Sequence, residues 1–335
     1  MSKIGILGAG TWGIALARQL TNCGHVVTVW SALPDEIDSL TLTRRQKNLP
    51  NMAIPEETVF TKSISEVCDS KDLLLFAVPS VYVRSTTKLA KQFVPNDQII
   101  IDVAKGIEKN TLMTMTQVIQ DEIQKPVRTV ALSGPTHAEE VARDLPTAIV
   151  SACTDLSIAE MVQDVFMNSY LRVYTNSDVL GVELCGAVKN IIALAAGISE
   201  GLGYGDNTKA ALITRGMAEI TRLGLAMGCR EQTFSGLAGI GDLVVTATSI
   251  HSRNNRCGQL LGRGVPADLA INEVGMVVEG INALPATMQL AHKYHVSMPI
   301  TEAVNDIVNN GRDPRDTVSM LMGRKKQSES NWMEY

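Results

Sequence analysis

The stretch KIGILGAGTWGIALARQL, residues 3–20, sets the fold class. A short β-branched run leads directly into Gly8, Gly10 and Gly13 in GxGxxG spacing, and the glycines open an amphipathic segment of helical period. Each glycine has a distinct expected task. Gly8 permits a tight turn, Gly10 lets backbone approach a pyrophosphate, and Gly13 allows close packing of the helix on the strand. The helix N-terminus then offers unpaired N–H groups to the phosphates.

Outward from this turn, β-rich runs alternate with polar-apolar stretches: VVTVW, DLLLFAV, QIIIDVA, RTVALSG, TAIVSA and a last candidate, LRVYT. Together with KIGILG they form the pattern of a mostly parallel sheet covered by helices on both faces. From about Gly181 the pattern becomes one of Ala, Leu, Met and Gly at helical spacing, as in TKAALITRGMAEITRLGLAMG. The expected architecture is α/β: an N-terminal Rossmann-type doubly wound sheet in residues 1–180, followed by an all-α C-terminal domain in residues 181–335. A chain of 335 residues has ample length for two cores.

The chain carries 30 basic and 35 acidic residues, a net charge of −5, which gives no general attraction to nucleic acid or an anionic membrane surface. Six cysteines are scattered without a CxxC pair, which speaks against zinc and for reduced thiols in the cytoplasm. No signal-peptide pattern opens the sequence, and no long charge-free apolar run suggests membrane insertion. The polar tail GRKKQSESNWMEY, residues 323–335, reads as a solvated end.

The second strand, VVTVW, should end beside an adenosine ribose, where NAD-selective proteins often carry an acid. Here the strand ends on Trp30; Ser31, Ala32 and Leu33 follow, and Arg44 and Arg45 lie further along, so residue types leave NAD and NADP both open. FAVPS, residues 76–80, ends a strand at a proline, and Lys105 stands at another strand end before Gly106. SGPTHAEEV, residues 133–141, is a Gly-Pro turn opening a helix, in which His137 reads as a cap or surface group.

The segment VELCGAVKNIIALAAGI, residues 182–198, reads as a buried helix interrupted by Lys189. On a helical wheel Gly186, Ala193 and Gly197 lie within about 20° of one line, with Lys189 about 60° to one side and Asn190 about 40° to the other. Such a strip admits either a ligand or another backbone. A buried ammonium needs an acid or a function. Asp242, in GLAGIGDLVVTAT, is the candidate partner, with Thr246 one turn on. Ser252 resembles an N-cap for a helix starting at Arg253 and Asn254, where free N–H groups and a guanidinium could hold a phosphate.

Taken together, GAGTWG, FAVPS, AKG, SGPTHAEEV, ELCGAVKNIIALAAGISEGLGYGDNTKAALITRG, TFSGLAGIGDLVVTATSIHSRN and VVEG resemble the bacterial NAD(P)-dependent glycerol-3-phosphate dehydrogenases. The resemblance implies reversible reduction of dihydroxyacetone phosphate with NADPH or NADH, giving sn-glycerol 3-phosphate for phospholipid synthesis. Lys189 matches the family's catalytic lysine. Lys105, Gly134, Thr136, Asp242, Ser252, Arg253 and Asn254 match substrate-binding positions, with Asn190 and Thr246 as supporting neighbours. Thr11, Trp12, Lys105, Ala138, Arg253, Val277 and Glu279 match cofactor-contact positions beside the glycines. The departure is Ala32, where many members carry Arg or His. A homodimer is a further family-level expectation. Two other readings compete: another two-domain dehydrogenase of the hydroxyacid or ketopantoate type, and a non-catalytic NAD(P) sensor.

Overall fold

In the computed structural model of the protein, which describes residues 1–326 and 328, eight strands form one sheet. They are β1 (Lys3–Leu7), β2 (Val26–Trp30), β3 (Val59–Thr61), β4 (Leu73–Phe76), β5 (Ile99–Asp102), β6 (Arg128–Ser133), β7 (Thr147–Ala152) and β8 (Leu171–Asn176). The order is β3-β2-β1-β4-β5-β6-β7-β8, and every neighbouring pair is parallel except β6 with β7. The doubly wound expectation holds, with the reversal at β7 making the sheet mixed. The central strand β4, LLLF, is buried at every position because helices cover both faces, so its sequence does not alternate. Edge strand β3 carries no clear sequence signal. Three residues, VFT, following a long irregular stretch are too short for a period-two pattern to show.

The chain divides into two compact units: residues 1–105 with 114–179, and residues 106–113 with 180–335. The boundary expected from sequence puts 106–113 in the first domain. Ile107 explains the difference, because it is buried in the core of the helical unit.

Helix α1 (Thr11–Asn22) rises from the glycine turn of the first unit. In the second unit α2 (Val179–Gly201) is the central rod, buried from Gly181 through Ser199, and α3 (Asp206–Ala226) succeeds it in the chain. Among the described residues α2 alone is long and apolar enough to cross a membrane as a single helix, but 89% of its apolar window is buried inside the fold. It is the core helix of the unit. Of the polar tail, residues 327 and 329–335 lie outside the described residues.

Candidate active site

The first unit builds its site from backbone. Gly8 has φ +124°, and a Cβ there would stand 2.6 Å from the Ala77 carbonyl oxygen, so the β1–α1 turn and the FAVPS strand end need glycine to meet. A Cβ on Gly13 would stand 2.2 Å from the Gly8 oxygen. Gly10 differs: nothing lies within 4 Å of where its Cβ would be. As N-cap of α1 it provides no side-chain acceptor, which leaves the first N–H groups of the helix for an anion. This cradle fits a dinucleotide pyrophosphate. Thr11 and Trp12 begin α1, and the Thr11 hydroxyl accepts from Asn48 Nδ2 at 3.0 Å.

At the end of β2 the structure supplies an acid that is not evident in the sequence. Ser31 Oγ donates to Glu36 Oε2 at 2.6 Å, which brings a carboxylate from the first turn of the next helix back to the strand end. By position Glu36 is an ordinary first-turn helix acid, and nothing in its spacing signals the return. Both nearby arginines are committed elsewhere. Arg44 donates to the Thr58 carbonyl at 2.6 Å and stacks over Phe60, and Arg45 donates to the Pro50 carbonyl at 2.8 Å.

At the other side of the sheet, Lys105 Nζ donates to the Gly134 carbonyl at 3.0 Å, and the Thr136 hydroxyl donates to the same oxygen at 3.1 Å. The three predicted residues are therefore brought together. Gly134 has φ +149°, and a Cβ there would press on Ile149 at 3.0 Å. His137 takes the N-cap position of a one-turn helix that begins at Ala138.

The second unit builds its site from side chains. Lys189, only 4% exposed, donates to Asp242 Oδ1 at 2.5 Å and to Thr246 Oγ1 at 2.5 Å. Thr246 Oγ1 in turn donates to the Asp242 carbonyl at 2.7 Å, so its lone pairs face the lysine. The acid and the hydroxyl share a face of α4 (Asp242–Thr248), because residues four apart stack one turn above each other. A kink over Leu237–Gly241 precedes α4, with Gly239 at the non-helical φ −92° and ψ −106°; a Cβ on Gly239 would stand 2.1 Å from the Phe234 oxygen. The GLAGIG sequence thus sets where α4 begins.

Ser252 caps α5 (Arg253–Gly262), its hydroxyl accepting from Asn255 N at 3.2 Å. The N–H groups of Arg253 and Asn254 and the Arg253 guanidinium make no hydrogen bond among the described residues. Asn254 Nδ2 donates to Asn190 Oδ1 and Asn254 Oδ1 accepts from Gly280 N, both at 2.9 Å. That amide links α2, α5 and the start of α6 (Glu279–Lys293), just after Val277. Asn255 carries no sequence signal of its own. Its side chain donates to Glu200 Oε1 at 3.2 Å and to the Ala247 carbonyl at 3.0 Å, tying the end of α4 to the start of α5.

The small-residue strip of α2 is where one sequence expectation resolves. A Cβ on Gly197 would stand 2.1 Å from the Asn255 oxygen, on Gly201 2.2 Å from the Gln259 oxygen, and on Gly258 2.2 Å from the Leu194 oxygen. Of the strip, Gly197 admits the backbone of α5, and Gly201 one turn on and Gly258 from the α5 side continue the same close approach.

Comparison with known proteins decides the family. Residues 3–159 match the family described as NAD-dependent glycerol-3-phosphate dehydrogenase N-terminus, and residues 178–319 match the corresponding C-terminus. The chain belongs to this family. It is 66% identical over 334 residues to a glycerol-3-phosphate dehydrogenase [NAD(P)+] of Lactobacillus delbrueckii subsp. bulgaricus, covering 98% of this chain and 99% of that one. A protein of the same description from Agathobacter rectalis is 50% identical, with both chains fully covered. The crystal structure of a glycerol-3-phosphate dehydrogenase from Coxiella burnetii superposes with a TM-score of 0.92 at 37% identity, covering 96% of this chain and 99% of that chain. As a glycerol-3-phosphate dehydrogenase family member the chain is an NAD(P)-dependent oxidoreductase, which removes the ketopantoate-type reading.

Proposed function

We propose that Lys189 is the proton donor in the reaction of this family, the reduction of dihydroxyacetone phosphate by NAD(P)H to sn-glycerol 3-phosphate, which supplies phospholipid synthesis. The observation that carries this role is the convergence of Asp242 and Thr246 on one buried ammonium. An unpaired buried lysine would be costly, so the pair is what makes Lys189 tolerable at the centre of a core helix.

Bound NAD(P)H supplies the hydride. As the substrate carbonyl carbon gains it, the C=O π pair moves to oxygen, and the resulting alkoxide takes a proton from Lys189 Nζ. Asp242 Oδ1 and Thr246 Oγ1 hold Nζ in place throughout, and water returns the proton before the next turnover. In the reverse direction the neutral amine takes the proton from the alcohol.

The N–H groups of Arg253 and Asn254 with the Arg253 guanidinium are the proposed phosphate anchor, at a capped helix start that favours an anion. Asn190 would act with Asn254, to which it is bonded, and Lys105, Gly134 and Thr136 are further proposed substrate contacts. For the cofactor, Gly8, Gly10, Thr11, Trp12 and Gly13 would cradle the pyrophosphate, and Ala138, Val277, Glu279, Lys105 and Arg253 are further proposed contacts. Glu36 favours NAD over NADP, since a carboxylate at the β2 end can accept from a ribose 2′-hydroxyl and repels a 2′-phosphate. A homodimer in the cytoplasm is the expected state.

The test follows oxidation of NADH and NADPH separately, with dihydroxyacetone phosphate and with unphosphorylated dihydroxyacetone. Turnover confined to the phosphorylated ketone is the expected result. Equal rates with the two ketones would remove the phosphate anchor, and cofactor binding without any turnover would overturn the proposed reaction.

A further inference from the structure

The helical unit contains a cavity of about 310 Å3. None of the proposed catalytic or phosphate-anchoring residues lines it. Its walls come from α2, α3, α7 (Pro299–Asn310) and α8 (Pro314–Met322). They are mainly aliphatic, with Ile198, Leu212, Val304 and Ile307 among them. Such a volume is at the small end of ligand pockets, suited to a single chain and too small for a dinucleotide.

The charge around this chamber runs against the rest of the molecule. In a chain of net charge −5, three arginines, Arg215, Arg222 and Arg324, line it with one acid, Glu219. Glu219 is fully occupied with structure. Its carboxylate accepts from Ile300 N at 2.6 Å and from the N–H and hydroxyl of Thr301 at 3.2 Å each, which caps α7. Burial pushes its pKa up to about 7, so near neutrality it offers only part of a negative charge. Arg222 donates to the Ser297 carbonyl at 2.9 Å. Burial lowers its pKa; Glu219 opposes that shift, and the neighbouring Arg215 and Arg324 charges reinforce it. The guanidinium groups of Arg215 and Arg324 make no hydrogen bond or ion pair among the described residues.

We propose that this cavity binds an amphipathic anion, a medium-length aliphatic carboxylate whose chain lies against the α2–α7 wall and whose head group meets Arg215 and Arg324. Two features select that class together. Aliphatic walls reward burial of the chain, at about 25 cal/mol per Å2 of apolar surface. A guanidinium fork matches a carboxylate, and the bound anion relieves the mutual repulsion of the arginines. The site would lie on the catalytic helix, since Ala195 of its wall is six residues, about 9 Å of helix, beyond Lys189.

Calorimetric titration of the full chain with decanoate tests this, with acetate and decan-1-ol as head-only and chain-only controls. Decanoate should bind saturably at one site, with each control weaker by about tenfold or more. In the Arg215→Gln, Arg324→Gln double variant decanoate should weaken by about tenfold while decan-1-ol is unchanged. Ala303→Leu, which fills the chamber, should remove binding of both. Dehydrogenase activity and melting temperature report whether each variant is folded. Absence of saturable decanoate binding to the unaltered chain, equal affinity for decanol, or decanoate affinity unmoved in the double arginine variant would each overturn the proposal.

Discussion

The glycine turn of the first unit and the lysine centre of the second are built by opposite routes. At the turn the element proposed to face the cofactor is bare backbone: Gly8 and Gly13 are filled by neighbouring chain, and Gly10 is left open. At the centre, three side chains from two helices meet in a buried cluster, and the contact spans 53 positions of sequence between Lys189 and Asp242. A backbone site is local and tolerates most side chains around it. A side-chain site depends on long-range packing and on the identity of every member.

Substitutions can break this contrast at either end. The largest effect belongs to Lys189→Ala, which should lower kcat by about 10²- to 10⁴-fold while leaving the NADH dissociation constant within about twofold, as steady-state kinetics and a binding titration would show. A comparable loss of NADH affinity would mean that the lysine serves the whole fold rather than the proton.

The charged groups of the helical unit should also respond to pH where the glycine turn does not. Burial raises the pKa of Glu219 from 4.5 to about 7, so the folded protein holds its proton more tightly than the unfolded chain does. The resulting stabilisation is fully present below about pH 4.5 and is lost as pH rises through about 7. It amounts to a few kcal/mol, on the order of 3. The difference in unfolding free energy between the native chain and Glu219→Gln, followed from about pH 5 to about pH 8 by chemical denaturation, should trace that loss. A difference that is flat across the window would assign Glu219 an ordinary acidity.

Within the turn, Gly13→Ala and Gly10→Ala should separate folding from binding. The first places a methyl group 2.2 Å from the Gly8 oxygen and should cost about 1–3 kcal/mol of stability. The second meets no protein atom, so stability should stay within about 0.5 kcal/mol while NADH affinity falls about tenfold. Melting curves with and without NADH distinguish them. The smallest expected effect is at Glu36→Gln, where the ratio of NADPH to NADH affinity should rise by roughly threefold through loss of one charge. An unchanged ratio would move coenzyme selection away from the β2 end.

The same contrast governs how much is legible in sequence. The strand–turn–helix grammar around Gly8, Gly10 and Gly13 is local, so residue order alone places it. The long strands are visible through β-branched runs, while β3 is hidden by its three-residue length. Lys189 is conspicuous as a charge in an apolar helix, and Asp242 is nameable as a partner only as one candidate acid. Their meeting depends on the kink at Gly239 and on how α4 packs against α2, which no spacing rule encodes. Glu36 and Asn255 escape notice because first-turn acids and asparagines usually face water. The strip of α2 leaves two occupants open in sequence, and at Gly197 a neighbouring helix takes the space.

That crossing of α2 and α5 has a mechanical corollary. Gly197, Gly201 and Gly258 put main chain against main chain, with no rotamers between the two rods to absorb a displacement. The spacing from the start of α5 to the lysine on α2 is therefore gauged by peptide geometry, like a fixed jaw setting. Drift in the surrounding aliphatic core can soften or stiffen the unit without rescaling that gauge. Replacing one of these three glycines would shift both jaws at once.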